Sequence, residues 1–448
     1  MEKPATTRAL VLMIVVVGLL NADQNLINSN LSLIEGEFRV DDAAIGLMSG
    51  LFTILGAAVS LAAGYLSDKG SRKRLFLAAV LVSEIPCFLT AFSANWGQFF
   101  AFRILTGFGV GASFPIIFSM LGDMYGEKRR ATAVAWMTTV MGIGQILGQV
   151  VSGYLSPVIG WRPPFVVVSV PTILALGLFA ALVKEPKRGA AESSTEQLVA
   201  AGLAYPRTIR ASDYLRLFTT RTNLLLFIQG IMGTIPWGAI PLFLVKFMSE
   251  NKGLSEAAAN TSFLLFAAGN IVGTILGGLA GGAVFKRSAK SLPLFCAWTT
   301  LLGAGITIYL FAFLSTPSLL ITLGIGFLAA FFVSMTGPNM RTMLLDVNVP
   351  ENRGAIFSVF NLTDSLGTGL GKFIGGLLSV SLGLGAAITI SAAFWIPCAI
   401  VLGIASLVFA ADIHALHTTM EKVARDMKSA SQLPLGPGAA APARPESE

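Results

Sequence analysis

The sequence predicts an all-α polytopic membrane protein of twelve transmembrane helices, arranged as two six-helix bundles related by a pseudo-two-fold repeat. Three observations predict it: a composition too apolar for water, twelve apolar runs of spanning length, and basic residues that alternate between the joining segments. Of 448 residues, 54% are hydrophobic and 12% are charged, against roughly 25% charged in a soluble domain. So little polar material cannot coat a water-exposed globule of this size. A lipid outer solvent removes the difficulty, and the 47 glycines fit the small-residue packing of helices in membranes.

A span needs about 20 mostly apolar residues. Such runs lie near 9–33, 43–66, 75–93, 98–121, 131–155 and 164–183, then near 223–247, 259–285, 291–314, 318–340, 355–380 and 386–410. The first run continues into a full span and lacks a small-x-small cleavage pattern, so it reads as a span and not as a cleaved leader. With the N-terminus inside, the inner segments carry 25 of the 31 Lys and Arg residues. Arg39, Arg162, Lys246 and Lys252 fall outside, and Arg103 and Lys372 fall within spans. Basic residues collect in short cytoplasmic loops, and one miscounted span would scramble the alternation from that point on. Twelve spans with both termini cytoplasmic is the expectation, in a plasma (inner) membrane.

The expected organisation is a six-helix bundle over 1–183, a cytoplasmic linker over 184–222, a second bundle over 223–410 and a disordered cytoplasmic tail over 411–448. The linker is polar and carries a surface helix near Tyr214–Phe218; the tail ends in Pro, Gly and Ala that bury no core. An internal repeat supports the halves. Residues 127–140 align without gaps on 351–364, matching Glu127, Arg129 and Ala131 to Glu351, Arg353 and Ala355. Both copies open an odd-numbered span from the inside, so the repeats run parallel, one of the established transporter plans.

Several function classes are excluded. The net charge of +7 belongs to loop ends, which is topology and not a nucleic-acid footprint. Cys87, Cys296 and Cys398 sit in apolar segments without ligand spacing, and His414 and His417 have no Cys or acid set around them. No metal, no cofactor and no enzyme chemistry are expected. No Gly-x-x-x-x-Gly-Lys-Ser/Thr loop occurs, so an ion gradient is the expected energy source, protons being favoured by the buried carboxylates and sodium being the alternative.

The loop after the second run reads Gly64-Tyr-Leu-Ser-Asp68-Lys69-Gly70-Ser71-Arg72-Lys73. It resembles the signature loop of the major facilitator superfamily. There Gly64 lets two helices approach, Asp68 caps or pairs at a neighbouring helix end, and Lys69, Arg72 and Lys73 hold the loop inside. The resemblance makes these residues an inner-gate brace. Arg103-Ile-Leu-Thr-Gly107-Phe-Gly109 is similar to that family's Arg-x-x-x-Gly-x-Gly segment, whose Arg is linked to proton coupling in many members. Asp123 and Glu127–Ala131 match its next loop. The fifth run departs from the drug-antiporter pattern, since Gln149 follows Gly148. A weaker resemblance, to spinster-like members, rests on Asn21-Ala-Asp23-Gln24, Gly160-Trp161-Arg162 with Phe165, and Glu185-Pro186-Lys187-Arg188-Gly189. Gln24 stands where that group usually has Arg, and Val110 where an acid often lies.

Ionisable groups inside spans are costly and face a partner or a wet cavity. Asp23 and Arg103 both lie roughly 20 Å from the inner face at 1.5 Å per residue, so they are expected to pair and to carry proton coupling. Asp364, about 14 Å into its span, is a second proton or cation candidate, with pairing to Lys372 or to nearby hydroxyls as the alternative. Lys372 could otherwise snorkel outward, and Glu84, on a span that is usually peripheral in that family, is expected to be a neutral or locally paired carboxyl. Asn21, Gln24 and Asn28 are expected to wall a watery cavity, joined by Gln229, Trp237 and Asn339. Pro236, Gly238 and Pro241 mark a gating helix. The expected function is alternating-access transport of a small organic anion or amphiphile by a monomer in the bilayer; the alternative is a multidrug or lysolipid/sphingolipid-type exporter of the spinster-like kind.

Overall fold

The computed structural model describes residues 4–125, 127–185, 217–314, 318–349 and 353–431. The first half comprises α1 (Pro4–Ala22), α2 (Leu31–Phe38), α3 (Asp42–Lys69), α4 (Arg72–Thr90), α5 (Trp96–Met124), α6 (Glu127–Ile159) and α7 (Pro163–Leu182). The second comprises α8 (Arg221–Glu250), α9 (Glu256–Phe285), α10 (Ser291–Ile308), α11 (Leu319–Ser334), α12 (Thr336–Asp346), α13 (Arg353–Leu382), α14 (Leu384–Ala393) and α15 (Trp395–Ser431).

Helix lies over every one of the twelve apolar runs. Among the described residues, eight segments are long and apolar enough to cross a membrane by themselves. The other four runs are those of α1, α4, α6 and α13. Their sequences carry basic starts or internal charge: Asp23 beyond α1, Arg72 and Glu84 on α4, Glu127–Arg130 on α6, and Asp364 and Lys372 on α13. Local chemistry sets the ends. Asp41, Ser71 and Asn95 accept hydrogen bonds from the backbone N–H of Ala44, Arg74 and Gln98, at the starts of α3, α4 and α5, occupying donors that a helix start leaves orphaned.

Two runs differ from expectation. The first is not one span. Its helix stops at Ala22, a 3₁₀ turn covers Asp23–Asn25, and α2 begins only at Leu31. The residues there are Asn, Asp, Gln and Ser, whose side chains compete for backbone groups. The last run passes its expected end and stays helical to Ser431, so the stretch 411–431 is not a disordered tail. Its Ala, Met, Lys, Glu and Arg residues are strong helix formers. The surface helix near Tyr214 and the tail beyond Ser431 lie outside the described residues.

The packing is a repeat. In the first half α1 lies on α6 and α7, α3 on α5, and α4 on α7. In the second half α8 lies on α13 and α15, α9 on α11, and α10 on α15, the same pairing one half-chain later. The halves meet where α3 crosses α13 and α6 crosses α9, which the repeat also interchanges.

The apolar cores divide unevenly. One cluster, with Met13, Phe76, Ile117, Met137 and Phe179, belongs to the first half alone. A second, with Leu226, Cys296, Met343, Ile356 and Phe409, belongs to the second half alone. Both sit toward the end that bears the basic loops. The third lies toward the opposite end and takes residues from both halves, among them Ile34, Met48, Phe99, Phe243, Phe247 and Trp395. Two separate cores at one end and one shared core at the other make a bundle pinched on the far face.

Close backbone approach holds the pairs together. A Cβ on Gly111 would overlap the Gly56 carbonyl, and one on Gly50 would meet Gly369 at the crossing of the halves. Gly64, expected to be a close-approach position, is not one: its added Cβ would stand 3.7 Å from Pro115, an ordinary contact. On α9 a ladder of Gly269, Gly273, Gly277 and Gly281 takes the backbone of Phe327, Phe331 and Met335 and then the Asn339 side chain, a four-residue spacing suited to lipid-embedded helices. Replacing Gly111 by Val should cost at least about 1–3 kcal/mol by overpacking, whereas Gly305→Ala, facing open space, should be neutral or slightly stabilising. Thermal unfolding of the two purified variants checks the difference.

Candidate functional site

The unwound stretch after α1 exposes polar groups in the middle of the bundle, and several of them find partners there. Asn25 donates to the Gln145 carbonyl at 3.1 Å, and Asn30 donates to the Leu26 carbonyl at 2.9 Å and the Ser152 hydroxyl at 2.6 Å. Irregular backbone survives at membrane depth only when it is satisfied in this way or lines water.

Beside this break lies a cavity of about 390 Å³ walled by both halves. Gln24, Asn28, Phe52 and Arg103 come from the first half, and Trp237, Phe266 and Lys372 from the second. Asp23 is fully buried at its edge, and Arg103 is 1% exposed. The Arg103 guanidinium donates to Asp23 Oδ1 at 2.5 Å and to the Asp23 carbonyl at 3.3 Å. Its carbon sits 5.1 Å from the Phe52 ring centroid and 5.6 Å from that of Phe165, a distance at which ring faces attract a cation. Cys87 Sγ donates to the same Asp23 oxygen at 3.2 Å. Asp23 Oδ2 and Arg103 Nε have no hydrogen-bond partner.

Glu84 was expected on a peripheral span, and the structure instead sets it in the central cluster. It is fully buried, within electrostatic reach of both Asp23 and Arg103, with neither oxygen hydrogen-bonded. The signal was in the sequence: Glu84 and Cys87 are three residues apart on α4, so they share a face.

A second cavity of about 310 Å³ lies within the second half and adjoins the first through Trp237 and Asn270. Gln229, Asp364, Arg341 and Trp395 line it. Asp364 Oδ1 and Gln229 Oε1 are buried without hydrogen-bond partners. Lys372 does not pair with Asp364 and does not snorkel. It points across the seam, where Nζ donates to Thr53 at 2.9 Å. Trp237 stands between the cavities against Phe266 and Trp395, with ring centroids 5.7 and 5.9 Å away.

Two expected cavity residues lie elsewhere. Asn21 is 1% exposed and donates to Val17 O at 2.8 Å, one turn back; it supports Gln24, which donates to its side chain at 2.8 Å. Asn339 is consumed between α9 and α12, donating to Gly277 O and Met335 O at 2.9 and 2.8 Å. An Asn at a glycine-lined crossing satisfies backbone carbonyls in place of facing water.

At the basic end, the signature-loop residues brace the first half. Buried Arg72 donates to Ser119 O at 3.3 Å and its hydroxyl at 3.2 Å, and Lys73 donates to Ala180 O at 2.6 Å. Glu185 accepts from Ser71 Oγ and Arg72 N at the start of α4. Burial is the largest single effect and raises its carboxyl, but the bonds from Ser71 and the Arg72 and Lys73 backbone, with the nearby Arg72 charge, together outweigh it and hold the carboxyl below the usual range, as a helix N-terminus favours. The side chains of Asp68 and Lys69 lie outside the described residues.

At the far end, polar links join the halves. Asn260 of α9 receives Ser29 at 2.7 Å and Gln149 at 2.9 Å and donates to Gly153 O at 3.2 Å. Lys246 of α8 pairs with both Glu35 of α2 and Asp42 of α3, and Ser379 of α13 donates to Asp42 at 2.5 Å.

A helical bundle of paired repeats around a chamber lined from both sides, with buried charge at its edge, is the architecture of a secondary transporter. The chain belongs to the Major Facilitator Superfamily, which it matches over residues 13–325; it is a membrane transporter and not an enzyme. It is 27% identical over 370 residues to human Protein spinster homolog 3, covering 77% of this chain and 70% of that protein. Among solved structures it is similar to a bacterial homolog of the human lysosomal transporter Spinster in an inward-facing, unoccupied conformation, with 21% identity and a TM-score of 0.79 over 92% of this chain and 99% of that one. It also resembles a D-xylose–proton symporter, with 16% identity and a TM-score of 0.68 over 88% and 97%.

Burial and then the neighbouring Asp42 carboxylate push Glu35 up to about 8, outweighing Lys246. Asp42 sits on the same half as Glu35 and stays with it, so parting the halves would remove chiefly the burial and Lys246. Burial is the largest cause of the rise, so the closed arrangement holds the Glu35 proton more firmly, and closure should weaken as pH rises toward about 8 and level off above. Spin labels at Gly36→Cys and Asn251→Cys should separate on raising the pH from 6 to 8.5, and Glu35→Gln should flatten the response.

Proposed function

We propose that this transporter moves a small organic anion or acid-headed amphiphile by alternating access, coupled to protons. The observation that carries the reading is the buried Asp23–Arg103 pair at the edge of a chamber walled by both halves. A guanidinium bound to a carboxylate is neutralised within the protein. Protonating Asp23 removes that partner and leaves a buried cation whose desolvation a substrate anion would offset. Proton and anion then occupy the site together, and loss of the proton restores the internal pair and weakens the hold on the anion. Asp364, whose Oδ1 is buried without a hydrogen bond in the adjoining cavity, is the second proton position. The pinched far face and the divided cores fit a state open toward the basic end. With the basic loops in the cytoplasm of a plasma-membrane monomer, that state faces inward.

The aromatic wall of Phe52, Phe263, Phe266 and Trp237 favours a second reading, in which apolar cargo dominates and the protein exports drugs or lysolipid- or sphingolipid-like amphiphiles. The likeness to spinster homologues supports it, as the likeness to a proton symporter supports the coupling.

In proteoliposomes carrying a pH gradient, Asp23→Asn should cut gradient-driven flux of an anionic solute at least about tenfold, the scale of losing one charge-assisted partner, while the protein stays monodisperse. Flux at the wild-type rate would end the coupling reading. Competition by carboxylates against lipophilic cations separates the two cargo readings.

A further inference from the structure

The chamber holds a second cation that coupling by Asp23 does not use. Lys372 sits in the middle of α13, the helix that crosses α3 at the seam. The seam is tight: a Cβ on Gly46 would overlap the Lys372 carbonyl, and one on Gly238 of α8 the Thr368 carbonyl. The lysine is therefore fixed by its backbone from both sides, and its side chain enters the 390 Å³ cavity that Arg103 also lines. Its hydrogen bond is to a neutral group, Thr53 Oγ1, at 2.9 Å. Among the described residues no carboxylate lies within ion-pair distance of Lys372, whereas Arg103 has Asp23, and Lys246 has Glu35 and Asp42. A desolvated ammonium bonded only to a hydroxyl has hydrogen-bonding and charge-neutralising capacity in reserve. The two cations also come from opposite halves.

We infer that Lys372 is the specificity-determining anion contact of the second half, so that one acidic headgroup, a phosphate or a carboxylate, is bridged between Lys372 and Arg103 with its apolar tail along Phe52, Phe263 and Phe266. This rests on the acidic-cargo reading above and extends it. An anion between the cations relieves their mutual repulsion and ties the two halves through the cargo, so occupancy itself favours closing the chamber around it. A neutral or cationic headgroup gains neither effect.

Binding of three probes with one tail, decyl phosphate, decanoate and decyltrimethylammonium, is measured by calorimetry on purified wild-type, Lys372→Gln and Lys372→Arg proteins, with monodispersity and thermal unfolding as the check on folding. Lys372→Gln should weaken both anions about tenfold or more without weakening decyltrimethylammonium, and Lys372→Arg should restore anion preference. Equal loss for all three probes would mean the lysine only packs the seam. Unchanged anion affinity in Lys372→Gln, with wild type still favouring anions, would overturn the bridge and leave the acidic-cargo reading standing. A wild type that binds decyltrimethylammonium in preference to both anions would overturn both.

Discussion

An ion removed from water must find another ion, a set of hydrogen bonds or a wet surface, and this requirement organises the centre of the molecule. Asp23, Glu84 and Arg103 are each no more than 1% exposed, where an unpaired charge would cost several kcal/mol. Two carboxylates lie within electrostatic reach of one guanidinium, and Asp23 is the one that Arg103 contacts. The charge count of the cluster balances when it carries one proton. A site built on such a count changes its binding properties when a proton arrives, whereas an isolated ion pair on a lipid-facing wall would have nothing to exchange with. Asp23 also stands where α1 ends, so the buried carboxylate and the unwound backbone are one feature.

The division of the apolar cores gives this chemistry a mechanical setting. At the basic end each half keeps its own core, so the halves can separate there without exposing packed apolar surface. At the far end they share a core with Ile34, Phe243 and Phe247, and parting them would put those side chains into water. Polar links through Asn260 and Lys246 add to the closed side. Apolar cohesion alone would lock that face permanently. A cluster of titratable groups, Glu35 among them, makes the cost of opening depend on solution conditions. At the α3–α13 crossing the halves meet through small residues in close backbone contact.

Much of this was legible in the sequence because solvation leaves a one-dimensional trace. Apolar run length and the sidedness of Lys and Arg gave helix positions, and the depth count put Asp23 and Arg103 at one level, where the structure joins them. Rotation about helix axes left a weaker trace. Depth does not say which way a side chain faces, and that is where Glu84, Asn21, Asn339 and Lys372 diverged from expectation. Glu84 turns inward beside Cys87, while Asn21 and Asn339 spend their amides on backbone carbonyls. Lys372 turns toward Thr53 in the other half, a contact 319 residues away that no local pattern records. The glycine ladder of α9 was readable as a four-residue period, but its partner helix was not. Helix past residue 410 was masked by its polarity, since a helix that leaves the membrane loses the apolar signal while keeping its propensity.

The two cavities divide the labour of the chamber by charge. In the first, Arg103 and Lys372 face each other from opposite halves, and Asp23 engages only one of them. In the second, Asp364, whose Oδ1 makes no hydrogen bond, shares the wall with Arg341. Trp237 stands at the junction. Proline at 236 and 241 leaves backbone carbonyls of α8 unpaired near it, so this helix bends at lower cost than its neighbours. Motion of α8 that moved Trp237 would alter both chambers at once. It would also carry Lys246, nine residues further along the same helix, away from Glu35 and Asp42. A single helix thus connects the cargo chamber to the far-face closure, so that the state of one can bias the other through packing alone.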